Sequence, residues 1–363
     1  MRYNKNGDKM RALIAMSGGV DSSVAAYLMK QQRYECVGAT MKLFTNEDAN
    51  ISREKACCTA DDVEDARSVA NRLDMPFHVF NFTADFGEQV IRRFADSYQS
   101  GATPNPCIDC NRYMKYEKFF DRAVLLEMDC IVTGHYVRVE YDEAAERYLL
   151  KKALDESKDQ SYVLYFMTQE HLRRTRFPLG GLTKPEVRKI AEEQRFVNAG
   201  KTESQDICFV PDGDYASFIE HYTGKSFPAG EFVDTNGNVI GEHKGIIRYT
   251  VGQRKGLGLA LPQPLYVQKK CVETNTVVLV ENDGLYSSAL TAVDFNWIAG
   301  EMPTGEIRVK AKVRYNQKEQ WAVAHCSDDL VYVEFDEPQR AIAKGQAVVL
   351  YDGDVVIGGG TIV

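Results

Sequence analysis

The segment Ser17-Gly18-Gly19-Val20-Asp21-Ser22 follows the apolar run Ala12-Leu13-Ile14-Ala15 and leads into Val24-Ala25-Ala26-Tyr27-Leu28-Met29. A strand that exits through two glycines into a helix start gathers backbone N–H groups and the positive end of a helix dipole around one point, which suits an anion. Gly18 and Gly19 permit positive φ and close backbone approach, and the Ser17 and Ser22 hydroxyls offer further donors. The bland alternative is a glycine turn in which Asp21 caps the helix. No Gly-Lys-Ser/Thr follows, so the loop is not a Walker A loop.

A second group of reactive residues is made of thiols. The chain has nine cysteines, an odd number without framework spacing, as expected in a reducing compartment. In "GATPNPCIDCNRYMKY", two prolines stiffen a loop that presents Cys107 and Cys110 before a helix expected from Arg112. That helix start and Arg112 or Lys115 would lower the thiol pKa values. Cys208 comes much later, in "SQDICFVPDGD". The plain alternatives are burial as small hydrophobes or a structural zinc that also recruits Cys57 and Cys58, although adjacent cysteines make awkward tetrahedral ligands. Cys36, Cys130, Cys271 and Cys326 lie in strand-like runs and read as packing residues.

These residues need a scaffold. From Arg11 to about Val210, β-rich runs ("RALIAM", "ECVGATMKL", "FHVFNF", "CIVTGHY") alternate with helical patterns over 60–73, 85–99 and 112–127. Such alternation predicts an α/β, Rossmann-like parallel sheet covered on both faces. After a short helix over 214–222 the pattern turns to hairpins, with Asn236-Gly237 and Asp352-Gly353 as two-residue turn signatures. A break near 281–288 divides this region into two small barrel-like β domains. The expected organisation is a polar extension (1–10), a catalytic domain (11–210), a small central β domain (211–284) and a C-terminal β-barrel (285–363). A chain of 363 residues is too long for one core. With no apolar run of about 18 residues and no signal-peptide pattern, a cytoplasmic protein without membrane association is expected.

The formal net charge of -8 repels phosphates, so any nucleic acid would be held by local basic patches. In "EIRVKAKVRYNQ", Arg308, Lys310, Lys312 and Arg314 alternate with Ile307, Val309, Ala311 and Val313. A strand would show these four charges on one face about 6.6 Å apart, fit to follow a phosphate backbone or to guard an exposed edge. "RRTR" (173–176) and "GQRKGLG" (252–258) are further basic patches.

The loop SGGVDS after a first strand resembles the PP-loop of the adenine nucleotide alpha hydrolase-like enzymes, which split ATP between the α and β phosphates. With "TPNPxxxCN", "TGHYVR", "KDQSYVLY", "DICF" and "YTVGQRKGLG" in order along the chain, the whole resembles the tRNA-specific 2-thiouridylase family. The resemblance implies ATP-dependent 2-thiolation of the wobble uridine of tRNA. AMP is placed on the C2 oxygen with release of pyrophosphate, and sulfur then displaces AMP. It implies ATP contacts from Ala15, Met16, Ser17, Gly18, Gly19, Val20, Asp21, Ser22, Met41 and Gly134, with Asp21 helping to hold Mg2+. Asn105, Pro106 and Cys107 would meet the target base. His135, Lys158, Asp159, Gln160, Arg314, Tyr315 and Gln346 would contact tRNA, and Cys110 and Cys208 would be catalytic. Without the resemblance, His135 reads equally well as a structural histidine and Lys158-Asp159-Gln160 as a solvated turn.

Many members of that family carry Asp where this chain has Cys107, and two readings follow. In one, a sulfur-donor protein, a persulfide relay or a cysteine desulfurase, loads Cys208 as a persulfide and Cys110 closes a disulfide on release, with Cys107 a spectator. In the other, Cys107, Cys110 and Cys208 hold a four-iron four-sulfur cluster whose fourth iron carries sulfide. Two competing functions use the same residues: an amide-forming ligase with ammonia as nucleophile, and a non-catalytic RNA-binding or sulfur-carrier protein.

Overall fold

The strand β1 (Arg11–Ala15) is apolar throughout, and Ala12, Leu13 and Ile14 have no exposed surface. A run buried on both faces belongs at the centre of a parallel sheet. In the computed structural model β1 pairs in parallel with β2 (Glu35–Lys42), Leu13 against Val37, and with β4 (Cys130–Val132), Leu13 against Ile131. With β3 (Phe77–Asn81) and β7 (Thr175–Arg176) the order is β3-β2-β1-β4-β7, the expected Rossmann-like α/β arrangement. The structure describes residues 9–45, 60–202, 207–260, 263–327 and 329–363; Cys57, Cys58 and residues 1–8 of the polar extension lie outside them.

Contacts divide the chain into two units. The first comprises Met1–Val90, Cys107–Pro211 and Asp354–Val356; the second comprises Ile91–Pro106, Asp212–Gly353 and Ile357–Val363.

In the first unit, α1 (Val20–Gln31) buries Val20, Val24, Ala25, Ala26 and Met29 in one core with Ile14, Cys36 and Cys130. It packs on α6 (Lys184–Glu193), whose start is set by Thr183 and Glu186: the Glu186 carboxylate accepts from Thr183 N at 2.7 Å. The helix α2 (Ala60–Arg72) lies where its pattern predicts it. The edge strand β3 departs from the expectation of two covered faces, since Val79 is exposed. The reading of "CIVTGHY" as one strand is also corrected. β4 stops at Val132, and Gly134 then passes so close to the first loop that an added Cβ would stand 3.0 Å from the Asp21 carbonyl carbon and the Ser22 nitrogen. A hairpin of β5 (Val137–Asp142) and β6 (Arg147–Lys152) follows, closed by Asp142, whose carboxylate accepts from Ala144 N and Ala145 N, and α5 (Gln169–Arg174) then leads into β7.

Two helical runs carry π turns. The first, α3 (83–99), widens over Gly87–Arg92. The second, α4 (106–125), widens over Cys110–Phe119. It begins at Pro106 rather than Arg112, because proline suits the first helical position, where no N–H partner is needed.

In the second unit, α7 (Tyr215–Thr223) precedes the sheet β10-β11-β8-β9, built from β8 (Gly230–Val233), β9 (Val239–His243), β10 (Tyr266–Cys271) and β11 (Thr276–Val280). Asn236-Gly237 is not a two-residue turn: residues 234–238 form a longer loop because the Asp234 carboxylate accepts from the Asn236 and Asn238 amides at 2.8 and 2.9 Å. The last six strands are β12 (Tyr286–Asn296), β13 (Gly305–Lys312), β14 (Gln320–Cys326), β15 (Val331–Arg340), β16 (Ala347–Asp352) and β17 (Val355–Ile362). Their order β12-β15-β14-β13-β16-β17 is closed by β12 pairing with β17, Ala292 against Ile362. Alternating inward residues such as Val309, Ala322, Val333 and Leu350 fill this barrel. Cys271 and Cys326, read as packing residues, are half-buried, whereas Cys36 and Cys130 are buried.

Replacing Ile14 by Ala leaves a cavity at the centre of the parallel sheet. A loss of about 3 kcal/mol is expected for the first unit, read as a shifted denaturant midpoint with unchanged slope; a loss below about 1 kcal/mol would show that β1 is not the core of that unit.

Candidate active site

β1 delivers the loop in a fixed direction. Met16 is buried; its amide donates to Ala39 O at 2.9 Å and its carbonyl accepts from Thr40 Oγ1 at 2.6 Å. Ser17 N then donates to Ser22 Oγ at 3.2 Å, and the Ser22 and Ser23 hydroxyls both donate to Gly19 O at 3.0 Å. The Ser22 proton is thus committed within the loop rather than offered to a ligand. Gly18 has φ +76, a conformation that favours glycine. The helix cap is Gly19 with no side-chain cap, so Asp21 does not cap α1. Among the described residues, the amides of Gly18, Gly19, Val20, Asp21 and Ser22 donate to no acceptor. Five consecutive unsatisfied donors at the positive end of a helix form an anion cradle.

The Asp21 carboxylate is held from two sides. Lys184 Nζ reaches its two oxygens at 2.7 and 2.9 Å, and Tyr136 OH donates to Oδ1 at 2.8 Å. Lys184, 7 % exposed, is the first residue of α6, and its amide donates to Asp155 at 3.0 Å. Tyr136 is held in turn by Gln160: Tyr136 N donates to Gln160 Oε1 at 2.9 Å and Gln160 N to Tyr136 O at 3.0 Å. Asp159 accepts from Ala153 N, Ser161 N and Ser161 Oγ. Asp159 and Gln160 are therefore knitted into the wall behind Asp21, with Lys158 N donating to Asp155 O. Met41 is half-buried near the end of β2. Lys184 and Tyr136 were not singled out from the sequence. "LTKPEVR" marks a helix start, but nothing local shows that its lysine returns to Asp21.

The thiols correct an expectation. Cys107 and Cys110 sit inside the first turns of α4, not before it. Cys107 is exposed and Cys110 half-buried by surface area, yet the protein around them withholds enough water to raise both thiols. Burial pushes Cys110 up to about 11 and outweighs the Lys115 ammonium, which pulls down; Cys107 moves in the same direction for the same causes. In a π turn, with its i→i+5 hydrogen bonds, Cys110 and Lys115 fall on one face. Lys115 Nζ lies 3.2 Å from His135 Nε2, and His135 Nδ1 lies 2.8 Å from Thr133 Oγ1. An ammonium only donates, so Nε2 accepts and the proton is assigned to Nδ1. Burial first, then Lys115, lowers the His135 pKa well below its ordinary value, which keeps the ring neutral. Cys208 is half-buried in a turn closed by Val210 N to Ile207 O, beside Phe209, which is buried edge-on to Phe86 at 5.7 Å.

Among the second unit's residues, the four-charge stripe is reduced to three. Arg308, Lys310 and Lys312 lie on β13, but Arg308 pairs with Asp336 at 2.6 Å and lies with Lys310 over the Trp321 ring at 5.0 and 5.3 Å. Arg314, past the strand end, turns to the carbonyls of Val251 and Ala341 at 3.1 and 2.7 Å. Tyr315 lies under Lys312 Nζ at 5.7 Å. Gln346 Nε2 donates to Thr103 O at 2.7 Å, two residues before Asn105.

Three sequence families match in succession: the tRNA methyl transferase HUP domain over residues 10–212, the tRNA methyl transferase PRC-barrel domain over 216–281 and the aminomethyltransferase beta-barrel domain over 287–362. The tRNA-specific 2-thiouridylase MnmA of Acetivibrio thermocellus is 50% identical, with 98% of this chain and 99% of that protein covered. That of Clostridioides difficile is 48% identical, with 97% and 98% covered. This chain belongs to the tRNA-specific 2-thiouridylase family.

Mg2+ was expected in this thiouridylase, and an iron-sulfur cluster in one of the two readings of its thiols. Among the described residues, no three His, Cys, Asp or Glu side chains are gathered so as to hold a metal ion. Cys107, Cys110 and Cys208 are thus not gathered around a single ion among the described residues. Asp21 does fit Mg2+ as a single carboxylate beside phosphates, with Lys184 the group it would have to give up. No helix among the described residues is long and apolar enough to cross a membrane.

Because its thiol is raised, Cys110 should be alkylated by iodoacetamide more slowly at pH 7 than a free cysteine. Its rate should climb about tenfold per pH unit until about pH 11. Lys115→Met removes the one group that pulls the thiol down and slows the reaction further. Peptide mass spectrometry resolves each site; half-maximal reactivity near pH 8 would mean that burial does not govern this thiol.

Proposed function

We propose that this protein is an ATP-dependent tRNA-uridine 2-sulfurtransferase that converts the wobble uridine to 2-thiouridine, with residues 11–210 as its catalytic domain. The observation that carries the reading is the row of free amides from Gly18 to Ser22 beside the Asp21–Lys184 pair, in a chain whose relatives are 2-thiouridylases. The amides bind the β and γ phosphates of ATP, and Lys184 is close enough to pass from Asp21 to a phosphate oxygen when the nucleotide enters. Mg2+, held by Asp21, would neutralise phosphate charge. The C2 oxygen of uridine attacks the α phosphorus and pyrophosphate leaves, which makes a poor leaving group into AMP.

Sulfur transfer uses two cysteines. The terminal sulfur of a Cys208 persulfide, loaded by a donor protein, bonds to C2. The Cys110 thiolate attacks the Cys208 sulfur, forming the Cys110–Cys208 disulfide. The electron pair of the broken S–S bond stays on the C2 sulfur, AMP departs with the original oxygen, and a dithiol reductant resets the pair. Asn105, Pro106 and Cys107 meet the flipped base. His135, Lys158, Asp159, Gln160, Arg314, Tyr315 and Gln346 lie in the segments that face tRNA. His135, Asp159 and Gln160 act there by shaping the wall, since their polar atoms are bonded within the protein.

Cys110→Ser and Cys208→Ser should each lower 2-thiouridine formation at least about 100-fold, as expected for loss of a covalent step, and should leave ATP binding intact. Cys107→Asp should stay active, and anaerobically purified protein should be active without iron. Nucleoside mass spectrometry of reacted tRNA checks all three variants. An inactive Cys107→Asp variant with iron present in the wild type would favour the cluster reading, and amide formation from ammonia would favour a ligase.

A further inference from the structure

Asn198 lies in the irregular segment after α6 and is 3 % exposed. Its Nδ2 donates to Gly18 O at 2.8 Å and to Ser23 Oγ at 2.9 Å. A carbonyl only accepts, so the orientation of this amide is fixed by its partner. Lys201 Nζ reaches the same carbonyl at 3.4 Å while it pairs with Asp62 and with Asp65. Behind the loop, the Asp62 backbone fills the place where a Cβ on Gly18 would stand.

A trans peptide points its C=O and N–H in opposite directions. Clamping the Gly18 carbonyl onto Asn198 therefore turns the Gly19 N–H the other way, to the side where the amides through Ser22 have no acceptor among the described residues. Gly18, at φ +76, has a backbone free enough to rotate this peptide if nothing restrained it. The serine hydroxyls of α1 hold only the next carbonyl, that of Gly19.

We infer that Asn198, seconded by Lys201, is the positioning residue of the phosphate loop: it sets the Gly18–Gly19 peptide so that the Gly19 amide faces the nucleotide phosphates. The inference rests on the reading of the loop as an ATP site. Its role is orientation, so its loss acts on ATP before it acts on RNA.

The test uses the full chain as wild type, Asn198→Leu, which keeps the branched shape without a donor, and Lys201→Met. MgATP binding is measured by calorimetry, tRNA binding by gel shift, and steady-state KM for both substrates by nucleoside mass spectrometry. Asn198→Leu should weaken ATP binding and raise KM for ATP about tenfold, in keeping with a lost buried hydrogen bond to Gly18 O and a misaimed donor. Its tRNA affinity should stay within about twofold of wild type. ATP affinity within about twofold of wild type, or equal losses for ATP and tRNA, would overturn the inference. If Asn198→Leu does not fold, Lys201→Met decides, because its side chain is 36% exposed. A loss for ATP alone supports the inference and an unchanged ATP affinity overturns it. A wild type that binds no ATP would instead overturn the reading of the site itself.

Discussion

An acidic residue at the mouth of an anion site is an electrostatic contradiction, and the ion pair between Asp21 and Lys184 resolves it. The carboxylate would repel a polyphosphate if it stood alone, but the buried ammonium cancels its charge and keeps the field of the free amides attractive. That pair depends on much of the first unit. α6 must start where Thr183 and Glu186 start it, Tyr136 must be held by Gln160, and β1 must emerge between β2 and β4. The parallel sheet and its helices are the device that brings a lysine 163 positions away to the first loop.

The thiols follow the opposite logic. Here the surroundings penalise charge rather than reward it: burial outweighs Lys115, and the resting Cys110 is protonated at neutral pH. A protonated, half-buried thiol is a poor nucleophile and a poor target for oxidants. The neutral His135 fixes Lys115 without competing for its charge. The π turn over Cys110–Phe119 puts cysteine and lysine on one face. Less burial or more positive charge around the sulfur would lower its pKa again.

Much of the scaffold was legible because its signals are local. The strand-glycine-helix junction at 15–22, the helix at 60–72 and the closing strands of the barrel are written in short apolar periods and turn residues. The hairpin at 137–152 was missed because its strands carry arginine and lysine at half-buried positions and lack a clean alternation. Asn236-Gly237 misled because the Asp234 side chain, not the dipeptide, organises that loop. Arg314 looked like the fourth charge of a stripe, yet the strand ends at Lys312 and its guanidinium serves backbone carbonyls instead.

By itself the sequence determined where the chain turns, which segments are buried, and which residue types are available for phosphate and sulfur chemistry, since these follow from contacts a few residues apart. Only the tertiary structure decided the partners of Asp21, the orientation of the Gly18 carbonyl and the direction of the thiol shifts. The reason is physical: ion pairing, peptide orientation and desolvation depend on which groups stand within a few ångströms, and those groups come from positions far apart along the chain.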